Sequence, residues 1–90
     1  MYAYELRESL ERELKKIARK SPELVRAISK KITEITNNVD ASHYKNLRKP
    51  LQHLKRVHIN KSFVLVFSVD ELQKHIIFED FDHHDNIYRK

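Results

Sequence analysis

The sequence predicts an α+β domain of order β-α-α-β-β-β, with an antiparallel sheet and a helical hairpin packed on one face. Three observations predict it. Apolar residues recur at helical spacing in two neighbouring stretches of the first half. They alternate, or run without a break, at strand spacing in the second half. Both kinds of segment fit within 90 residues, a length suited to a single domain (residues 1–90) around one core.

Each element follows in order from its own pattern. Tyr2, Tyr4 and Leu6 alternate with smaller or polar residues, the period of a short half-buried strand. Leu10, Leu14, Ile17 and Ala18 then form the apolar stripe of a helix from about Ser9 to Arg19. Ser21-Pro22-Glu23 supplies a hydroxyl at the cap, proline at the first helical position and an acid in the first turn. Leu24, Val25, Ile28, Ile32 and Ile35 continue that second helix to Asn37-Asn38. Residues 40–50 are polar and read as loop, with room for one helical turn. Leu54 to Ile59 returns to period two, with Val57 and Ile59 on one face and Arg56 and His58 on the other. Asn60-Lys61 reads as a two-residue turn, although the missing glycine leaves a bulged or longer connection open. Ser62 to Val69 is nearly continuous β-branched and aromatic sequence, hence a central strand. Asp70 to Gln73 turns the chain, and Lys74 to Phe81 forms the last strand.

Composition excludes several chemistries. With no cysteine there is neither a disulfide framework nor a thiolate metal site nor a cysteine nucleophile. With no glycine there is no phosphate-cradling loop of the P-loop or dinucleotide type, and no nucleotide or other small-molecule cofactor is expected. No apolar run approaches the roughly 20 residues of a membrane span, and MYAYELRESLERE has no signal-peptide character. The expectation is a cytoplasmic protein with no membrane partner. The net charge of +5 is segregated. Between Asp40 and Asp70 there is no acid, while Lys45, Arg48, Lys49, Lys55, Arg56 and Lys61 lie in that stretch; Glu79, Asp80, Asp82 and Asp85 follow close together. Segregation of this kind suggests a cationic patch for a polyanion, against the alternative of a basic loop and strand edge that is merely solvated.

Four stretches carry a family resemblance. Tyr44-Lys45-Asn46-Leu47-Arg48-Lys49-Pro50-Leu51 resembles an L-x-x-P-L approach to a three-strand meander. Lys55-Arg56-Val57-His58-Ile59 resembles a cationic strand, and Ser62-Phe63-Val64-Leu65-Val66-Phe67 the Y-R-(I/V)-(I/V)-Y strand after it. In Asp82-His83-His84-Asp85-Asn86-Ile87-Tyr88, a histidine precedes a terminal aromatic by four residues, similar to a YafQ-like ending. Together they resemble the RelE/ParE toxin superfamily of type II toxin–antitoxin systems, over nearly the whole chain. The resemblance implies a toxin neutralised by a cognate antitoxin protein. Many members are ribosome-dependent mRNA endoribonucleases (mRNA interferases) that inhibit translation, others poison DNA gyrase, and a few are inactive remnants.

Metal-independent RNA cleavage needs a base for the ribose 2′-OH, a cation for the charged phosphorane and an acid for the 5′-oxygen leaving group. Histidine suits both proton transfers, since an unperturbed imidazole titrates near about 6.5, and arginine suits the phosphate. The candidate catalytic residues are therefore His84, Arg56, His58 and Tyr88, with Tyr88 stacking on a base or donating a hydrogen bond. Lys49, Lys55, Lys61 and Arg48 are the candidate RNA contacts on ribosome-bound mRNA. Where many relatives carry arginine after the aromatic of the central strand, this chain has Val64, and Asp82 stands where some carry a catalytic arginine.

Two other functions compete. Asp82, His83, His84 and Asp85, with His75, could form a divalent-metal hydrolase site; the toxin reading expects no metal and no cofactor. A non-catalytic toxin-fold protein, either gyrase-poison-like or an inactive RNA- or antitoxin-binding remnant, would not require the histidines of the tail. His43, His53 and His75 lack positional support and read as surface residues.

Overall fold

The computed structural model describes residues 1–88. Its elements are β1 (Ala3–Leu6), α1 (Glu8–Lys20), α2 (Pro22–Thr36), a 3-10 turn (Ala41–His43), β2 (Lys55–Ile59), β3 (Phe63–Asp70), β4 (His75–His83) and a short α3 (His84–Tyr88). The α+β architecture and the helical hairpin are as the periodicity predicts. The tail differs: β4 runs two residues past Phe81, and the chain then turns directly into α3.

The four strands form one sheet in the order β1-β4-β3-β2. The meander β2-β3-β4 is antiparallel, but β1 pairs with β4 in parallel, Ala3 opposite His75 and Leu6 opposite Phe78. The expected antiparallel sheet is thus a mixed one. The hairpin of α1 and α2 returns the chain to the end at which β1 began, where the Tyr2 N–H donates to the Thr36 carbonyl at 2.8 Å. The meander therefore starts from that end, and its first and third strands run as β1 does.

The helix-side core is built from alternate residues. Leu10, Ile28, Ile32 and Ile35 of the helices meet Leu65, Phe67, Ile76, Phe78 and Phe81 of the sheet. Phe78 and Phe81 are three apart, which a regular strand would send to opposite faces. A bulge resolves this: Val66 faces Asp80 while Phe67 faces Phe78, leaving Glu79 as the extra residue. Glu79 accepts from Arg7 Nε at 2.8 Å and from the Ser68 hydroxyl at 3.0 Å. Tyr2, buried at the opposite end, accepts from the Ala41 N–H at 2.9 Å and donates to Glu71, so one phenol ties the 3-10 turn to the β3-β4 connection.

A second, smaller core lies on the other face of the sheet. Val64 and Val66 point away from the helices and pack against Leu47, Leu51, Leu54 and Ile87. The unbroken apolar run of β3 is thus explained by burial on both faces. Residues 45–47 wrap the outer edge of β2, with the Arg56 N–H donating to the Lys45 carbonyl at 2.9 Å and the Leu47 N–H to the Leu54 carbonyl at 2.8 Å. The β2-β3 connection is the longer alternative: Ile59 pairs with Phe63 across three residues, with Asn60 and Lys61 left-handed at φ 52° and 69°.

Truncating Phe67, which has no exposed surface, should cost about 3–5 kcal/mol by urea unfolding. Ile87→Ala should act locally. A five-residue helix does not persist without its tertiary anchor, so this variant should lose the Tyr88–His58 ring contact by NMR while the meander amides keep their protection.

Candidate functional site

The site grows from the register of β2 on β3. Arg56 pairs with Val66 and His58 with Val64, so both basic side chains share the face that carries the smaller core, opposite the helices. Val57 and Ile59 take the helix side, as the alternation predicts. α3 then folds back over this face: Ile87 seals the smaller core, 3% exposed, and its neighbour Tyr88 is delivered to the rim. At the N-terminal end of α3 the His84 N–H donates to the Ser62 carbonyl at 2.9 Å, which pins the helix to the β2-β3 connection.

Tyr88 is the point of convergence. The Arg56 guanidinium carbon lies over its ring, 5.8 Å from the centroid, within the range of a cation–π contact. The imidazoles of His58 and His84 each stand 6.5 Å from it, centroid to centroid. Three of the four sequence-predicted residues of the cleavage chemistry thus gather around the ring of the fourth. Beside them opens a cleft of about 520 Å³, lined by Arg48, Lys49, Arg56, His58, Ile87 and Tyr88 together with Asn46, Leu47 and Leu51. Arg48 and Lys49 reach it from the segment that wraps the sheet edge, around the cis Lys49–Pro50 bond.

The other two cations take different places. Lys55 pairs with Phe67 on the helix side of β2. Its ammonium donates to the carbonyls of Ser42 at 2.9 Å and Tyr44 at 3.2 Å and to Asn46 Oδ1 at 3.1 Å. It is a tie for residues 42–46 and lies outside the cleft, because its strand position faces away from Arg56. Lys61 is exposed in the β2-β3 connection and does not line the cleft either. Asn46, Leu47, Leu51 and Ile87 line the cleft and are not among the predicted site residues. No sequence signal marks Ile87, because the five residues of α3 are too few for a helical period to show.

The acids sit where the register puts them. Asp80 and Asp82 pair with Val66 and Val64, so they share the face of Arg56 and His58, separated from them by the valines. Two strand spacings make this about 10 Å. Asp82 accepts from the His83 N–H at 2.7 Å and from the Asn86 side-chain amide at 3.1 Å, while the His83 ring Nδ1 accepts from the Asp85 N–H at 3.2 Å in the first turn of α3. Val64, at the other position where the resemblance leads one to expect a cation, is fully buried. His83 turns to the helix side with Phe63, its partner in the ladder and 5.9 Å away ring to ring. Among the described residues one group could hold a metal ion: His83, His84 and Asp85, with ligand atoms all within 4.8 Å of one another. His75, at the far end of β4, lies 3.5 Å from Glu5 and takes no part in it.

No model of a known protein family matches the chain. Individual proteins do. The chain is 57% identical over 90 residues to a Methanocaldococcus jannaschii protein named "Putative toxin RelE4", covering all of this chain and 94% of the relative. It is 47% identical over 88 residues to an uncharacterized protein of Methanosarcina mazei, covering 98% of this chain and 100% of that one. Among solved structures, the solution structure of the conserved hypothetical protein HP0892 from Helicobacter pylori superposes with a TM-score of 0.60 at 17% identity, over 97% of this chain and 99% of that one. That likeness shows the shared fold. No described helix is long and apolar enough to cross a membrane. Fold, motif order and a full-length relative at this identity agree, and the chain belongs to the RelE/ParE toxin superfamily.

Proposed function

We propose that this chain is the toxin of a type II toxin–antitoxin pair, held in check by a cognate antitoxin protein, and that it inhibits translation in the cytoplasm by cleaving ribosome-bound mRNA without a metal ion. The observation that carries the reading is the convergence of Arg56, His58 and His84 on Tyr88 at the edge of a basic cleft. RNA cleavage through the 2′-hydroxyl needs two proton transfers and one cation, and these are the groups gathered there. One imidazole takes the 2′-OH proton as the oxygen attacks the neighbouring phosphorus. The Arg56 guanidinium, with Arg48 and Lys49 behind it, stabilises the charge of the phosphorane. A protonated imidazole gives its proton to the departing 5′-oxygen, leaving a 2′,3′-cyclic phosphate and a 5′-hydroxyl. Tyr88 offers a ring on which a base can stack. His84 is assigned the decisive proton transfer and Arg56 the phosphate contact.

One observation favours a second reading. The two positions where the family resemblance leads one to expect cations hold a fully buried Val64 and an acid, Asp82, bonded to His83 and Asn86. A toxin-fold protein without nuclease activity, binding RNA, gyrase or antitoxin only, is what those two side chains fit best.

The deciding experiment is expression of the untagged protein, with mapping of mRNA 3′ ends and assay on purified ribosomes in excess chelator. Cleavage that persists in chelator is expected. Absence of cleavage by the wild-type protein would pass the function to the second reading. General acid–base catalysis contributes about 10²–10⁴-fold, so His84→Ala should slow cleavage by that factor with the fold intact by circular dichroism. Wild-type rates in that variant would remove the proton-transfer role. His75→Ala, at the far end of β4, should cleave normally.

Lysines of the two classes should separate in a salt titration of RNA binding. Removing one phosphate contact lowers the slope of log K against log salt by about 0.7 for a single strand. Lys49→Ala should show that loss. Lys55→Ala should leave the slope unchanged and instead lower thermal stability, by about 1 kcal/mol for its partly exposed hydrogen bonds.

A further inference from the structure

We propose that His83, His84 and Asp85 chelate a divalent transition metal ion, and that binding of the ion silences the cleft by occupying the imidazole of His84. The strand-to-helix junction makes the geometry. On a continuous strand, adjacent histidines would point to opposite faces. Here His83 ends β4 and His84 begins α3, so the two rings lie side by side with centroids 4.5 Å apart and planes 31° apart. The Asp85 carboxylate reaches both: Oδ1 is 3.0 Å from His84 Nδ1 and Oδ2 is 3.6 Å from His83 Nδ1. Ligands about 2.0–2.1 Å from a tetrahedral zinc ion stand roughly 3.3 Å from one another. The two separations, to different oxygens of the one carboxylate, bracket that value. One ligand atom from each residue lies within 4.8 Å of the others, and side-chain rotations that release His83 Nδ1 from the Asp85 N–H, which donates to it at 3.2 Å, close the set to that spacing. All three side chains are between 39% and 57% exposed, open to an ion from solution. Asp82 is not part of the group: it shares the face of Val64, opposite His83 and Phe63, and its Oδ1 accepts from the His83 N–H and the Asn86 amide.

Two nitrogens and one carboxylate select a borderline ion such as zinc over magnesium, which keeps oxygen ligands and its own waters. Coordination is incompatible with proton transfer. An imidazole with a metal on one nitrogen and a proton on the other has no lone pair left to accept a proton, and the metal takes the place of the second proton that an imidazolium would donate. The site is therefore inhibitory, the reverse of a catalytic metal centre. The binding half stands on the three side chains alone; the silencing half rests on the proposed role of His84.

The test titrates zinc, then magnesium, into the full-length untagged protein, followed by calorimetry and by NMR of the histidine rings. One zinc ion per chain is expected, with the His83 and His84 signals shifting together and magnesium without effect. Losing even a partner of a ligand weakens metal sites about 10–100-fold, so Asp85→Asn and His83→Gln should each weaken zinc by at least about tenfold, while His75→Gln changes nothing. Cleavage should fall as zinc saturates and return with chelator, and His83→Gln should keep cleaving at zinc levels that silence the wild type. Zinc signals centred on His43, His53 or His75, or an affinity indifferent to Asp85→Asn, would overturn the site. Zinc bound at the site with cleavage undiminished would overturn the silencing. A wild type that never cleaves refutes the nuclease reading separately, and the titration still decides the metal site.

Discussion

Burial of β3 on both faces is the constraint on which the rest of the structure depends. Leu65 and Phe67 fill the helix-side core, while Val64 and Val66 floor the smaller one. A strand apolar on both sides cannot lie at a solvated face, so the second face had to be covered by whatever the chain had left. The coverings are the segment that carries Leu47 and Leu51 and the short helix that carries Ile87. Both bring polar neighbours with them. Arg48 and Lys49 arrive with the first, His84 and Tyr88 with the second, and the cleft is the gap between the two lids. The site is thus a by-product of completing a core, with its chemistry mounted on the rim of the covering rather than on the sheet alone.

That arrangement also sorts charge. Arg56 and His58 on β2 and Asp80 and Asp82 on β4 share one face, held about 10 Å apart by the intervening strand. The Debye length at physiological ionic strength is about 8 Å, so attraction between the two sides is largely screened across the valines. Under the proposed function, a bound phosphate chain takes a lane along the Arg48, Lys49 and Arg56 flank. The acid-free stretch of sequence from Asp40 to Asp70 is the linear image of this lane.

The sequence was most legible where a single periodicity ruled. The hairpin stripes and the alternation of Arg56 and His58 against Val57 and Ile59 all stand in the structure as read. The parallel pairing of β1 was hidden because strand direction is set by where the hairpin returns the chain, which no local pattern encodes. The bulge at Glu79 could be read only from the three-residue spacing of Phe78 and Phe81. α3 escaped because five residues are too few for a helical period to show. The same shortness made Ile87 invisible as the anchor that delivers Tyr88. Lys55 shows the limit of reading charge by composition: a cation in a basic run can be consumed by backbone carbonyls, and only the face of its strand tells which.

The absence of glycine has a consequence for the chain when it is unfolded. Among the described residues, Asn60, Lys61 and Lys74 adopt left-handed backbone at φ between 51° and 69°, where a side chain costs roughly 1–2 kcal/mol, less for asparagine. Glycine would remove that strain, but it would also enlarge the set of conformations open to the denatured chain, which opposes folding. It would further delete what these side chains do, such as the Lys74 ammonium lying 5.1 Å over the Tyr2 ring. Turn strain in the native state is therefore offset by a denatured ensemble that is narrower at every turn, and part of this protein's stability resides in conformations it never has to give up.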